Sequence, residues 1–129
     1  MIPTYAHLGD DWDLEIVDTP QKTVSIGLIW APFFADSDVR LRITECDAAT
    51  ARRIAAECDQ LLAACNAAEP YGLALREDSG AIVSLCSGEQ CLPMLLVESP
   101  VVQVQIRFIA DDSIRVLQEA LRGAAEELA

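Results

Sequence analysis

Alternation of apolar and polar residues is the feature that most constrains how this chain can fold. In residues 11–17 apolar side chains alternate with carboxylates, and in residues 24–30 and 39–43 they alternate with small residues or arginines. A period of two places successive side chains on opposite faces of a strand. Turn-forming residues separate the segments, so we predict an antiparallel meander with one buried face and one face in water.

A helix is predicted over residues 48–68, with Asp47 as its N-cap and Glu69-Pro70 beyond its end. Apolar residues recur in it at helical spacing. The predicted buried stripe consists of Ile54, Cys58, Leu61 and Cys65.

The second half of the chain follows the same plan. Residues 72–75 and 81–86 flank a turn and predict a hairpin, and two further apolar segments cover residues 91–97 and 101–109. A final helix is predicted from Asp111 or Asp112. The glycine within it, Gly123, costs about 1 kcal/mol relative to alanine.

The resulting element order is βββα followed by ββ(β)βα. We therefore expect an α+β fold with a single antiparallel sheet and two helices packed on one face of it. Residues 1–129 are predicted to form one domain, because a chain of 129 residues suits one domain with a core of its own.

The charge narrows the classes of partner. The chain has 21 acidic and 9 basic residues, for a formal net charge of −12. Such a charge repels nucleic acid and anionic membranes, so we expect neither as a direct partner and favour a basic protein. A homodimer is compatible with the sequence. With no signal peptide or membrane span predicted, we expect a cytoplasmic protein.

Residues 10–18 contain a run of five carboxylates: Asp10, Asp11, Asp13, Glu15 and Asp18. Strand geometry predicts that those at 11, 13 and 15 form an outward-facing row. Arg40 and Arg42 also face outward. They form ion pairs with the row if their strands are neighbours, and lie about 10 Å away and interact weakly if another strand intervenes. A metal site at Asp11-Trp12-Asp13 lacks further ligands, so recognition is the preferred interpretation.

A second candidate surface lies in residues 30–38. Phe33 and Phe34 follow Pro32 in a predicted loop, and Asp36 and Asp38 come next. One alternative is that a phenylalanine packs beneath the loop. The other is an aromatic anchor surrounded by acids, a composition typical of protein-binding hot spots.

The sequence contains few residues or motifs that would support catalysis. His7 is the only histidine, and no nucleophile motif or phosphate-binding loop occurs. The five cysteines are expected to be free thiols, with a redox or metal role for Cys86 and Cys91 as the alternative. We therefore predict no enzyme activity, no cofactor and no metal.

The leading functional hypothesis is a non-enzymatic inhibitor or immunity-type protein that binds a basic surface of its partner, such as a nucleic-acid-binding surface. Phage anti-defence proteins, for example anti-CRISPR proteins, and toxin antidotes belong to this class. In size, acidity and strand order from residue 72 on, the chain is also broadly similar to type III secretion chaperones, although residues 1–22 are predicted as loop and strand where those chaperones open with a helix. This resemblance implies, as an alternative, binding of an unfolded effector segment. A small ligand-binding domain or enzyme is the second alternative.

Overall fold

The structure, a computed structural model, describes residues 2–30, 39–77, 82–87, 92–101, 103–108 and 111–128. Within these residues each half of the chain forms four strands followed by one helix. In chain order the elements are β1 (Thr4–His7), β2 (Trp12–Asp18), β3 (Val24–Trp30), β4 (Val39–Cys46), α1 (Ala48–Ala67), β5 (Gly72–Glu77), β6 (Ile82–Ser87), β7 (Pro93–Glu98), β8 (Gln103–Arg107) and α2 (Asp111–Glu127).

The first four strands form an antiparallel sheet in the order β1-β2-β3-β4. Leu14 of β2 lies opposite Leu28 of β3, and Ile16 lies opposite Ile26, so apolar side chains of neighbouring strands meet on the buried face. The strands predicted from alternation are confirmed here. Strand β1 was not predicted, because only Ala6 within it is buried and its remaining residues are exposed.

The other four strands form a second antiparallel sheet in the order β5-β6-β7-β8. The predicted hairpin is confirmed as the antiparallel pairing of β5 with β6. Strand β7 starts at Pro93, a first position where the missing N–H is tolerated. Leu85 and Leu95 lie opposite each other and are fully buried.

The prediction of one sheet with both helices on one face is wrong, because the strands form two four-stranded sheets. The sheets touch where Leu8, just after β1, bridges to Phe108, just after β8. This pairing is limited on one side by the turn at Gly9, whose N–H bonds to the Arg107 carbonyl at 2.7 Å. On the other side, α2 begins at Asp111. Alternation predicts which face of a strand is buried but not where a sheet ends.

The predicted start of α1 is confirmed. The Asp47 carboxylate accepts a hydrogen bond from the Thr50 N–H at 2.8 Å, which satisfies one of the free donors of the first turn. The helix ends at Ala68, whose left-handed conformation (φ 54°) lets its N–H reach carbonyls of the last turn. The predicted stripe is buried at all four positions: Ile54, Cys58, Leu61 and Cys65.

The two helices pack against each other in antiparallel directions. The buried Gln118 side chain of α2 donates to the Ala55 carbonyl of α1 at 2.7 Å, and Arg115 pairs with Asp59. Helix α2 packs mainly on β1 and β2, whereas α1 packs mainly on β5 and β6. One hydrophobic core therefore contains residues of both sheets and both helices. In the part of the chain that the structure describes, neither helix is long and apolar enough to cross a membrane.

Candidate functional site

The carboxylates of residues 10–18 lie in three different settings, and the first is the turn between β1 and β2. Asp10 and Asp11 adopt left-handed conformations with φ of 59° and 66°. The Trp12 N–H bonds back to the Gly9 carbonyl at 3.2 Å, so residues 9–12 form a β-turn with the two aspartates at its centre. Asp11 therefore lies in the turn, and the prediction that it continues the strand row is wrong. Both aspartates are exposed.

The second setting is the outer face of the first sheet, where Asp13 and Glu15 point as predicted. The Asp13 carboxylate lies 2.6 Å from Nδ1 of His7 on the neighbouring strand. Glu15 lies 3.4 Å from Nη1 of Arg40, although β3 separates β2 from β4. The contact is possible because Gly27, directly opposite Glu15 on β3, has no side chain to block it. The expectation that an intervening strand leaves these charges about 10 Å apart is therefore wrong.

The third setting is the end of β2, where Asp18 borders a groove between the first hairpin and α2. The groove has a volume of about 550 Å³. Thr4 and Gly123 also line it, and the other lining residues divide into an apolar set and three acids. The apolar residues are Ile2, Ile16, Val17, Val116, Ala120 and Ala124. The acids are Asp18, Glu119 and Glu127, and we call this feature the acidic groove.

No basic side chain is among the described residues that line the acidic groove. The described residues also show no ion pair to Asp18, Glu119 or Glu127. Three carboxylates beside a partly apolar surface produce a local negative potential. Of the three settings, this groove is the one that combines concave shape, apolar contact area and unpaired charge.

The second predicted surface lies outside the described residues, since Phe33, Phe34, Asp36 and Asp38 all fall within residues 31–38. Trp30, the last residue of β3 before this segment, forms an aromatic pair with Trp12 of β2. The rings of Trp12 and Trp30 are 6.2 Å apart, and Trp30 Nε1 donates to the Asp10 carbonyl at 3.2 Å. Val39 and Leu41 on β4 are 44% and 53% exposed.

The described cysteines, Cys46, Cys58, Cys65 and Cys86, are unbridged. Burial raises the pKa of the Cys58 thiol to about 11, and burial likewise raises the pKa of Cys46 and Cys86. A raised pKa disfavours the thiolate that redox or metal chemistry requires. Cys91 lies outside the described residues, so its predicted pairing with Cys86 stays untested. Among the residues that the structure describes, no three potential metal ligands cluster.

Two carboxylates with lowered pKa values have structural tasks. Hydrogen bonds from Thr50 lower the pKa of Asp47 at the start of α1. The hydrogen bond from Arg115 lowers the pKa of Asp59, which joins the two helices. Neither residue lines the acidic groove. Hydrogen bonds within the folded chain stabilise the charged form of both carboxylates, so neither needs an external partner.

Asp18 was predicted from the sequence as a partner-binding residue, but the groove that it borders was not. No sequence pattern distinguished Glu119 or Glu127 as site residues, and Ile2 and Thr4 belong to a segment with few structural signals. Gly123 was the one indication of the groove in the sequence, because glycine destabilises a helix and its presence there suggests a packing or functional role. No protein-family model, curated protein or solved structure matches this chain, so no family is assigned to it.

Proposed function

We propose that this chain is a non-enzymatic recognition protein that binds a basic surface of a partner protein, as inhibitors and immunity proteins do. The observation that supports the proposal is a surplus of exposed carboxylates without basic partners. The chain has 21 acidic and 9 basic residues. Four arginines are already engaged in ion pairs with carboxylates: Arg40, Arg42, Arg53 and Arg115.

Among the described residues, the acids without an ion pair include Asp10 and Asp11 in the turn and the three acids of the acidic groove. Fixed, unpaired carboxylates attract a positively charged surface and increase the rate of encounter. A nucleic-acid-binding surface has the required positive charge. An anti-CRISPR or other phage anti-defence protein, or a toxin antidote, would act by occupying such a surface.

The alternative is a chaperone of the type III secretion kind, and the shape of the acidic groove favours it. A groove with an apolar floor accepts the side chains of an extended or helical segment. The state of the target discriminates between the two proposals. An inhibitor binds a folded basic protein, whereas a chaperone binds an unfolded segment and leaves the folded protein unbound.

A small ligand-binding domain is the second alternative, and the volume of the acidic groove favours it. About 550 Å³ lies within the usual range for ligand sites. The charged side chains among the described lining residues are all acids, so such a ligand would have to be cationic. Binding of a small cation without any protein partner would support this alternative over the other two.

The proposal is tested by capture followed by kinetics. The immobilised chain is exposed to lysate at about 50 mM and about 300 mM salt, and a protein retained at low salt is purified. We expect a basic, folded protein whose association rate constant falls about tenfold or more between the two conditions. A neutral or acidic partner with a salt-independent association rate would overturn the proposal.

Two variants with the same change in net charge sharpen this test. Asp10→Asn, Asp11→Asn and Asp18→Asn together neutralise unpaired acids, whereas Glu45→Gln, Glu57→Gln and Asp59→Asn neutralise paired ones. We expect the first variant to slow association about tenfold, and the second to slow it much less. Equal slowing in both variants would mean that only total charge matters, against recognition by the unpaired acids.

A further inference from the structure

The acidic groove has features that folding alone does not require, and the first is its charge. Asp18 comes from the end of β2, whereas Glu119 and Glu127 come from α2, so two separate elements bring like charges to one groove. Like charges around a groove repel one another. A cation that enters the groove therefore reduces the electrostatic repulsion between these carboxylates.

The second feature is the exposed apolar surface inside and beside the groove. Val116 is 38% exposed and Ile2 is 90% exposed, while Ile16 at the floor is buried. Ala120 and Ala124 are half-buried and leave room above the helix surface. Apolar area next to unpaired acids suits a ligand that is itself both apolar and cationic.

The third feature is Gly123. A Cβ added at this position would meet no atom within 4 Å, and no described glycine has a positive φ. Neither crowding nor backbone conformation therefore requires glycine here, although alanine is the better helix former. The absent side chain lies at the wall of the groove, which a larger residue would narrow.

We propose that the acidic groove binds a basic amphipathic segment of the partner protein, with apolar side chains on the floor and lysines or arginines beside Asp18, Glu119 and Glu127. This inference rests on the proposed function and assigns it a site. A second copy of the chain is disfavoured as the occupant, because each copy carries a net charge of −12. Nucleic acids and anionic membranes are disfavoured for the same reason.

The test uses the full chain and a fluorescein-labelled synthetic peptide of leucine and lysine with helical spacing, followed by fluorescence anisotropy. We expect Gly123→Leu to weaken peptide binding about tenfold or more, since the new side chain occupies the groove. The same change should leave the melting temperature unchanged or raise it by a few degrees, because leucine favours the helix over glycine. A loss of binding with equal or greater stability separates occupancy of the groove from damage to the fold.

Matched controls test both parts of the site. Ala63→Leu adds the same side chain to an exposed position on α1 and should leave the dissociation constant unchanged. Asp18→Asn with Glu119→Gln and Glu127→Gln should weaken binding, whereas Glu69→Gln with Asp112→Asn and Glu126→Gln removes the same charge elsewhere and should weaken it much less. If Gly123→Leu does not fold, Gly123→Ala and the mapping of peptide-induced amide shifts in the unaltered chain replace it, with shifts expected at the residues lining the groove.

Three outcomes would overturn the assignment. The first is undiminished peptide binding by a folded Gly123→Leu or Gly123→Ala variant. The second is equal binding of a peptide whose leucines are replaced by serine, or equal competition by spermine, which would show attraction of cations only. The third is amide shifts that lie away from the groove. None of these outcomes would test the proposed function, which depends separately on how salt changes the association rate of the captured partner.

Discussion

The outer face and the end of β2 place acids of the same strand in contrasting surroundings. On the outer face, Asp13 and Glu15 contact His7 and Arg40. At the end of the strand, Asp18 borders a groove where the described lining residues include no base. The comparison shows that neighbouring strands and helices, rather than the run of acids itself, determine which carboxylates are available to a partner.

Gly27 is part of the reason for the difference. It lies between Glu15 and Arg42 in register and leaves open the space through which Arg40 of β4 reaches across β3 to Glu15. The groove has a glycine of its own, Gly123, but there the space opens onto solvent rather than onto a base. A missing side chain thus allows an ion pair in one region and leaves a cavity in the other.

The largest effect is expected from Leu14, the buried neighbour of both outer-face acids. Leu14→Ala should lower the free energy of unfolding by about 2–5 kcal/mol, since the side chain is fully buried in the core. Glu15→Ala, one position further along the strand, should cost less than about 1 kcal/mol. Urea denaturation of both variants is the measurement, and similar losses would contradict the assignment of the two faces.

A smaller effect is expected within α2, where a buried amide and a groove acid are adjacent. Gln118→Ala removes the donor to the Ala55 carbonyl and should cost about 1–3 kcal/mol. Glu119→Gln should leave the free energy of unfolding equal or slightly higher, because its carboxylate has no ion-pair partner among the described residues. Thermal unfolding monitored by circular dichroism compares them, and destabilisation by Glu119→Gln would show that the groove acid has a structural task.

Asp47 provides a third case, an acid whose carboxylate accepts a hydrogen bond from the backbone at the start of α1. Its pKa is lowered by the Thr50 hydrogen bonds, so its stabilisation is present above the ordinary pKa of aspartate and is lost as the pH falls through the lower pKa of the folded state. Asp47→Ala should therefore reduce the melting temperature by a few degrees at neutral pH, with a gap that narrows in acid. Asp47→Asn keeps the cap and should show little loss. Melting curves across the acid range would contradict this if the gap stayed constant.

The smallest effect is expected for the exposed ion pair itself. A double-mutant cycle with Glu15→Gln and Arg40→Gln should give a coupling energy of less than about 1 kcal/mol, because both side chains are partly exposed to water. Higher salt should reduce it further. Denaturation of the four proteins gives the value. A coupling of several kcal/mol would mean that the outer face is stabilised by its charges, which would sharpen the contrast with the groove.

The sequence allowed most elements to be predicted, because apolar alternation and helical spacing record burial directly. The strands β2 and β3, the N-cap Asp47 and the stripe that includes Cys58 follow from this. Strand β1 was missed since Ala6 is a weak apolar signal. The turn was missed because Asp10 and Asp11 take positions where glycine or asparagine is the usual indicator.

Tertiary arrangement was harder to predict for a different reason. Period-two alternation does not say which strands lie at the edges, so the division into two sheets was not predicted. The acidic groove joins residues from both ends of the chain, such as Thr4 and Glu127, and no local pattern links them. The position of Asp18 near the end of a strand follows from local alternation, but its surroundings depend on where α2 packs.

That packing has a consequence for how the chain acquires its structure. Helix α2, from the second half, covers β1 and β2, whereas α1, from the first half, covers β5 and β6. Neither half can bury its own core, so Leu14 and Ile16 stay uncovered until residues 111–127 dock. We therefore expect folding to depend on contacts between distant parts of the chain, which form more slowly than local contacts. Until those contacts form, the apolar face of the first sheet is exposed and prone to aggregation.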